Sequence, residues 1–240
     1  MPEISVIIPT LNEEEYLEKL LESIEKQGFD DYEVVVADSR SDDGTVEVAE
    51  DHGAEVVTGE RRGPGHARNL GAEEADGDIL VFLDADVILG DRDFLGKVAD
   101  AFRGSGKGVG AARWKAYDTG WFGKLVFWLG SFTERVVNLT GFTTAAAGYV
   151  MIARRDVFEE VDGFDEEMPW HETHDFVDRA ASAGGGFQYV DSTLLVSARR
   201  LNQKGLSGIL ADYLPSLPAY LLGNKEKVKE NYRFETIDAE

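Results

Sequence analysis

A short apolar run that ends in two closely spaced aspartates constrains this chain more than any other feature. Residues 79–83 read Ile-Leu-Val-Phe-Leu, and Asp84 and Asp86 follow directly. A short apolar run with β-branched and aromatic members predicts a buried strand. Side chains at i and i+2 of an extended segment point the same way, so both carboxylates can face one cation. Hard oxygen ligands of this kind favour Mg²⁺ or Mn²⁺, which also bind phosphate oxygens.

The first hundred residues alternate strands with helices. Apolar spacing predicts strands at 4–8, 32–37, 55–57 and 79–83, and helices at 13–26, 44–52 and 66–75. This alternation predicts an α/β fold, with a mostly parallel twisted sheet and helices on both faces, similar to a Rossmann fold. In such sheets ligands bind at the carboxyl ends of the strands, where Asp84 and Asp86 lie. The Gly-x-Gly-x-x-Gly fingerprint of dinucleotide sites does not follow the first strand.

The pattern changes beyond residue 91, which divides the chain into a half at 1–110 and a second half at 111–223. The second half is expected to hold an aromatic amphipathic segment at 114–144, a strand at 149–153 and helices at 155–161 and 176–183. A helix at 94–102 and a glycine-rich break at 104–108 precede it. Residues 205–222 are apolar but interrupted by proline, and the charged residues 224–240 are expected to form a poorly ordered tail.

Composition narrows the class of protein. A net charge of −22 argues against a nucleic-acid partner, because phosphate backbones require a basic surface. Such a surface is typical of a protein from a salt-loving host, and simple solubility is the alternative. The chain has no cysteine, which excludes disulfides and thiolate metal sites. It begins without the features of a signal peptide and holds no run of 18 apolar residues, so a cytoplasmic location is expected.

Polar or glycine-rich loops follow the other predicted strands as well. Pro9, Thr10 and Glu13 follow the first strand, together with Asn12, which can cap the next helix. Asp38 opens a second loop, and Asp43-Gly-Thr ends it as a turn and helix start. The glycine-rich segment 63–71 carries Arg68, which suits a phosphate. Taken alone, each of these loops is explained more simply by ordinary capping and turn formation.

Taken together and in this order, the motifs resemble the family 2 glycosyltransferases with the GT-A fold. The matching segments are Ser5-Val-Ile-Ile-Pro-Thr-x-Asn-Glu, Val36-Ala-Asp-Ser-x-Ser-x-Asp-Gly-Thr, Ala67-Arg-Asn-x-Gly and Gly77-Asp-x-x-x-Phe-Leu-Asp-Ala-Asp. Gly163-Phe-Asp-Glu and Glu172-x-x-Asp-x-x-x-Arg continue the likeness, which covers about residues 3–205.

The resemblance implies inverting sugar transfer from a nucleotide-diphosphate sugar, assisted by Mg²⁺ or Mn²⁺. It places the nucleotide sugar in the first half and the acceptor beside the second half, which would include a helical subregion. By the family pattern, the nucleotide-sugar contacts are Pro9, Thr10, Glu13, Asp38, Arg68, Asp84 and Asp86. Asp38 would contact the base, Asp84 would face the ribose, and Asp86, with Asp84 beside it, would hold the metal.

One position departs from the family pattern. Members that activate a hydroxyl acceptor carry Glu-Asp where this chain has Glu172-Thr173, and threonine does not accept a proton near neutrality. Glu172, Asp175 or His174 could replace the missing base, with Glu172 and Asp175 preferred as catalytic residues. Alternatively, an acceptor that is already ionised, such as a polyprenyl phosphate, needs no base. Ordinary helix-start electrostatics also explain acids at these positions.

The acceptor side is suggested by two further features. Arg199 and Arg200, and also His174, are candidate contacts for a diphosphate or an anionic acceptor. The aromatic segments at 114–142 and 205–222 could lie on a membrane surface or simply pack in the core. The candidate acceptors are therefore a lipid phosphate and a saccharide, with peripheral membrane attachment as a possibility. The alternative functions are a nucleotidyltransferase on a related scaffold and a non-catalytic sugar-nucleotide-binding protein.

Overall fold

The computed structural model describes residues 1–140, 148–168 and 171–213, which form a mixed α/β structure. The strands are β1 (Ile4–Thr10), β2 (Tyr32–Asp38), β3 (Glu55–Thr58), β4 (Ile79–Leu83), β5 (Val87–Ile88), β6 (Val109–Ala116), β7 (Val150–Arg154) and β8 (Phe187–Val196). The helices are α1 (Glu14–Glu25), α2 (Thr45–Asp51), α3 (Pro64–Glu74), α4 (Phe94–Phe102), α5 (Trp121–Thr140), α6 (Arg155–Glu160), α7 (Glu172–Ala183) and α8 (Arg199–Tyr213).

All eight strands form one sheet in the order β3-β2-β1-β4-β7-β6-β8-β5. Strands β3, β2, β1 and β4 are parallel neighbours, and β6 is parallel to β8. Strand β7 is antiparallel to both β4 and β6, so it joins the two parallel parts. The register pairs Thr10 with Asp38 at the ends of β1 and β2. The carboxyl ends of β1, β2 and β4 therefore meet at one edge of the sheet.

Burial follows the apolar pattern of the sequence. Every residue of β4 is buried, which requires cover on both faces of the sheet and confirms the α/β prediction. Helix α1 buries Leu17, Leu20, Leu21 and Ile24, the residues that its apolar spacing selects. The elements of the first hundred residues begin and end within a few residues of the predicted bounds.

The second half holds elements that the sequence pattern did not reveal. Strand β6 covers residues 109–113, for which the sequence pattern predicted no element, and also the start of the aromatic segment at 114–116. Its Gly-Ala-Ala composition lacks the β-branched signal of a strand. Gly110 is needed there, because a Cβ at this position would come within 2.5 Å of the Gln188 carbonyl oxygen on β8. Crowding between strands, rather than flexibility, explains this glycine.

Two helices differ from expectation at their ends. Helix α7 begins at Glu172 instead of residue 176, so Glu172, Thr173 and Asp175 lie in its first turn. Helix α8 begins at Arg199 and is interrupted at Gly205, whose φ is 66°.

Residues 214–222 of the predicted apolar segment and the tail at 224–240 lie outside the described residues. Among the helices of the described chain, none has the length and apolar character needed to cross a membrane.

Candidate functional site

Asp38 ends β2 in a fully enclosed position. Its side chain is 1% exposed. Oδ1 accepts hydrogen bonds from the hydroxyls of Thr10 (3.1 Å) and Ser41 (2.5 Å), and Oδ2 accepts from the Ser41 backbone N–H (2.9 Å). Pro9 precedes Thr10 on β1 and pairs with Ala37. The predicted base contact is thus a carboxylate that its neighbours hold in one orientation.

The loops after β1 and β2 are tied to each other. Asn12, at a φ of 55°, accepts a hydrogen bond at Oδ1 from the Asp42 backbone N–H (2.8 Å), and its own N–H donates to the Ser41 hydroxyl (2.9 Å). The expectation that Asn12 caps α1 is therefore wrong, because its side chain bonds to the neighbouring loop. Glu13 stands at the cap position without a side-chain cap. Asp43 and Gly44 lead into α2, as the turn motif predicted.

Arg68 links three elements at the centre of the site. It is 3% exposed on α3, and it donates from Nη2 to Asp84 Oδ1 (2.8 Å) and from Nη1 to Glu172 Oε1 (3.1 Å). The Phe164 ring lies below its guanidinium, 5.4 Å from Cζ. Burial raises the pKa of Glu172, and the charge of Arg68 opposes that rise. In the described part of the chain, Arg68 Nε has no hydrogen-bond partner.

Thr173 faces the same space as this cluster. A Cβ built on Gly148 would lie 3.6 Å from Thr173 Cγ2, 3.7 Å from Arg68 Nη2 and 3.8 Å from Asp84 Oδ2. The Thr173 methyl group, Arg68 and Asp84 therefore border one space, next to Gly148. The structure places a hydroxyl and a methyl group there instead of a carboxylate.

Asp86 and Arg199 form a second charged cluster. Asp86 is 8% exposed, and its Oδ2 lies 3.0 Å from Arg199 Nε. The Arg199 guanidinium also donates to both carboxylate oxygens of Glu13, at 2.7 and 2.5 Å. Burial, and then the charge of Asp84, raise the pKa of Asp86 to about 7. Glu13, Asp86 and Arg199 are therefore brought together, although they come from three distant parts of the sequence.

The donor atoms at this edge of the sheet fit a divalent cation. Arg68 occupies only Oδ1 of Asp84, and Arg199 occupies only Oδ2 of Asp86. The residues that the structure describes include no group of three or more acids and histidines arranged around a metal. The site thus offers one or two carboxylates, and phosphate oxygens and water would supply the other ligands, as is usual for Mg²⁺.

The remaining candidates of α7 have different surroundings. Asp175 accepts a hydrogen bond from Arg179 Nε (2.7 Å), and Arg179 donates in turn to the carbonyls of Val161 and Gly163. His171 precedes the helix at a φ of 64°. Burial and the charge of His171 lower the pKa of His174 to about 4, so its imidazole is neutral near pH 7.

Three further residues support the site in roles that the sequence analysis did not predict, although Phe164 belongs to the Gly163-Phe-Asp-Glu motif. Tyr16 lies below Arg199, with Cζ 4.6 Å from the ring centroid, and Phe164 lies below Arg68. Asp118 accepts hydrogen bonds from the Ser197 hydroxyl (2.5 Å) and the Ala198 N–H (2.6 Å), which sets the start of α8. Arg200 is exposed, and its charge favours ionised Asp86. The spacing of Tyr16 from Glu13 is the one local hint of these contacts.

Comparison with known proteins gives the family. A family model described as Glycosyl transferase family 2 matches residues 5–162. Glycosyltransferase AglE of Haloferax volcanii is 40% identical over 94 residues, which are 36% of this chain and 31% of that protein. The GalNAc(5)-diNAcBac-PP-undecaprenol beta-1,3-glucosyltransferase of Campylobacter jejuni is 36% identical over 93 residues, 36% of this chain and 30% of that protein. The matched segment thus spans about a third of the length of these relatives.

A solved structure gives the fold. Mannosyltransferase PcManGT from Pyrobaculum calidifontis, in complex with GDP-Man and Mn²⁺, superimposes with a TM-score of 0.67 at 23% identity. The match covers 96% of this chain and 69% of that chain. The described structure has the GT-A fold, as the motifs predicted.

Proposed function

We propose that this chain, which belongs to glycosyl transferase family 2, transfers a sugar from a nucleotide-diphosphate sugar to an acceptor with inversion at C1. The observation that carries the proposal is the meeting of Asp38, the Arg68–Asp84 pair and the Asp86–Arg199 pair at one edge of the sheet. The GT-A neighbour PcManGT, which was solved in complex with GDP-Man and Mn²⁺, is consistent with a donor of this kind.

The donor would lie along the loops that follow β1, β2 and β4. Asp38 would accept a hydrogen bond from the base, held in place by Thr10 and Ser41. Asp84 would accept one from the ribose, and Arg68, fixed between Asp84 and Glu172, would supply positive charge beside the phosphates. In this arrangement Glu172 is a positioning residue for Arg68. Asp175 positions the turn at 161–163 through Arg179.

Asp86, with Asp84 beside it, would hold the divalent cation. Bound there, the cation supplies charge neutralisation for the leaving diphosphate as the bond to C1 breaks. Arg199 already contacts Asp86, so its guanidinium and the cation would share one carboxylate. Arg199 and Arg200 would then provide further positive charge on the acceptor side of the diphosphate.

The acceptor is proposed to be a phosphate, as in a polyprenyl phosphate. Thr173 lies beside Arg68 where an aspartate would activate a hydroxyl, and threonine cannot take up that proton. A phosphate monoester has a second pKa near 6 and is already ionised near neutrality. Its oxygen can attack C1 from the face opposite the diphosphate without a base. The name of the Campylobacter jejuni relative includes a lipid-linked acceptor, but its beta-1,3 linkage is formed on a sugar hydroxyl, so that name supports a lipid-linked acceptor and not attack by a phosphate.

Replacement of Asp86 tests the donor site. We expect Asp86→Asn to lose the rise in Tm that MnCl₂ adds in the presence of UDP or GDP, and to lose sugar transfer. Because Asp86 must be ionised to bind a cation, Mn²⁺ affinity of the unchanged protein should increase as the pH rises through about 7. Titration calorimetry at several pH values measures this, and the increase should be absent in Asp86→Asn.

Asp100→Asn, on the exposed surface of α4, is the matched control and should respond as the unchanged protein does. A full Mn²⁺ response in Asp86→Asn would contradict the metal assignment. If no nucleotide sugar and no nucleoside diphosphate raises the Tm of the unchanged protein, the donor site itself is contradicted.

A further inference from the structure

Helix α5 exposes an apolar face. In the described part of the chain, ten large apolar side chains are at least 36% exposed, and seven of them lie on this helix. They are Trp121, Phe122, Leu125, Trp128, Leu129, Phe132 and Val136. At 100° per residue, these seven occupy a stripe about 120° wide along the helix. Trp128 and Phe132 stack at 5.5 Å within it.

The opposite side of α5 is fixed to the sheet partly by polar contacts. Glu134 accepts hydrogen bonds from Trp114 Nε1 (3.1 Å) and the Tyr189 hydroxyl (3.2 Å), on β6 and β8. Asn138 Nδ2 donates to the same Tyr189 oxygen (2.7 Å), and Phe127 is buried nearby. A surface helix ordinarily turns its polar residues outward. Here the carboxylate of Glu134 points inward, and the aromatic stripe remains on the surface.

The charges around the stripe differ from those of the whole chain. Helix α5 carries two cations, Lys124 and Arg135, and one carboxylate, the inward-facing Glu134. Lys124 and Arg135 are exposed, and their helical angles place both at the same border of the stripe. The chain as a whole has a net charge of −22. Among the described residues of α5, the apolar stripe therefore has cations at its border and no carboxylate on its face.

We propose that α5 docks in the plane of a phospholipid bilayer surface. The Trp, Phe and Leu side chains of the stripe enter the boundary between headgroups and acyl chains, where aromatic residues are favoured. Lys124 and Arg135 extend from the border to the headgroup phosphates, which zwitterionic lipids also carry. A second copy of this chain fits the stripe less well, because two bodies of −22 repel each other. This docking does not depend on the proposed sugar transfer.

Co-sedimentation with phosphatidylcholine vesicles tests the docking. The full chain should sediment with the vesicles, and Trp128→Ser combined with Phe132→Ser should lower the partition coefficient at least about tenfold, since two aromatic side chains leave the lipid. Leu11→Ser, which changes an apolar side chain of similar exposure outside α5, is the control and should bind as the unchanged protein does. Circular dichroism and Tm confirm that the variants are folded.

Two double variants with the same net charge test the cations. Lys124→Glu with Arg135→Glu should weaken vesicle binding by about fivefold, because two exposed contacts between a cation and a headgroup phosphate are lost. The control variant is Lys19→Glu with Lys26→Glu, on α1 and at the residue after it. It should bind vesicles within about twofold of the unchanged protein, because the two double variants have the same net charge and therefore the same long-range electrostatics. Equal losses in the two variants would overturn the placement of the headgroups beside α5.

Fluorescence quenching provides a test that needs no destabilising change. Brominated phosphatidylcholine should quench the unchanged protein, and replacement of both Trp121 and Trp128 by Phe should remove most of that quenching while binding persists. Absence of binding to vesicles in both dilute buffer and molar KCl would overturn the proposal. The proposal would also be overturned if the unchanged protein formed a dimer and bound no vesicles, and if Trp128→Ser with Phe132→Ser dissociated that dimer. That result would assign the exposed face of α5 to a second copy of the chain.

Discussion

A single threonine sets the expected chemistry of the acceptor. Thr173 lies beside Arg68 and Asp84. We therefore expect the protein to glycosylate a polyprenyl phosphate and not the matching polyprenol. Thr173→Ala should lower kcat far less than the roughly 10²–10⁴-fold that loss of a general base costs. Radiolabelled donor and thin-layer separation of the lipid products measure both effects.

The Glu172→Gln variant serves as the contrast to Thr173→Ala on the same turn of α7. It weakens the hydrogen bond that holds Arg68 and should therefore reduce transfer more than Thr173→Ala does. Efficient transfer to a soluble saccharide, without product from the lipid phosphate, would show that another residue acts as the base.

At the scale of elements, Arg68 joins α3 to the end of β4 and to the first turn of α7. Arg68→Met would leave Asp84 and the buried Glu172 without their cation. Removal of one partner of a buried ion pair costs about 3–5 kcal/mol, because an uncompensated charge remains. Urea denaturation should show that the free energy of unfolding falls by this amount. The difference between the variant and the unchanged protein should be smaller at low pH, where Glu172 is protonated in both the folded and the unfolded state.

Arg103→Met is the matched control for this change. Arg103 also contacts two carboxylates, Glu3 and Asp100, but it is 55% exposed. Exposed pairs contribute less than about 1 kcal/mol, so this variant should remain close to the unchanged protein in stability. Equal losses in the two variants would mean that Arg68 does not join the three elements as described.

The same elements show what sequence reasoning can and cannot reach. Asp84 and Asp86 were found because their signal is local, at the end of an apolar strand of five residues. Strand β6 was missed because crowding against β8 requires Gly110, and this glycine and the alanines beside it lack the β-branched pattern of a strand. Apolar spacing placed the start of α7 four residues late, because its first turn carries the polar residues of the site, whereas the acids at 172 and 175 indicated the earlier start.

Pairing across the chain was beyond the reach of the sequence pattern. Arg199 could be named as a contact for an anion, but its partners could not. Glu13 is 186 residues away, and Arg199 reaches the site because β5, which directly follows Asp86, pairs with the end of β8. The resemblance to a family placed residues in the correct neighbourhood, while their pairing required coordinates.

At the scale of the molecule, the charge of −22 governs stability in solution. Repulsion among carboxylates weakens as salt shortens the screening length. We expect Tm to rise by about 5 °C from dilute buffer to molar KCl, which corresponds to roughly 2 kcal/mol in a chain of this size. Differential scanning calorimetry measures the change.

A variant with three fewer charges separates repulsion from general salt effects. Glu15→Gln, Glu18→Gln and Glu47→Gln alter exposed residues on α1 and α2. If repulsion is the cause, this variant should be more stable in dilute buffer and gain less from KCl. A Tm that is flat with salt would show that the acidic surface serves solubility alone.

The bond between Glu13 and Arg199 also has a consequence for the order in which the protein is made. A ribosome releases Glu13, Asp38, Arg68 and Asp86 long before it releases Arg199, the side chain that bridges Glu13 to Asp86. A nascent chain can therefore form the first strands and expose Glu13 and Asp86 while the Arg199 guanidinium that pairs with both is still unsynthesised. The site becomes complete only when α8 begins, so recognition of its ligand is coupled to near-completion of the described chain.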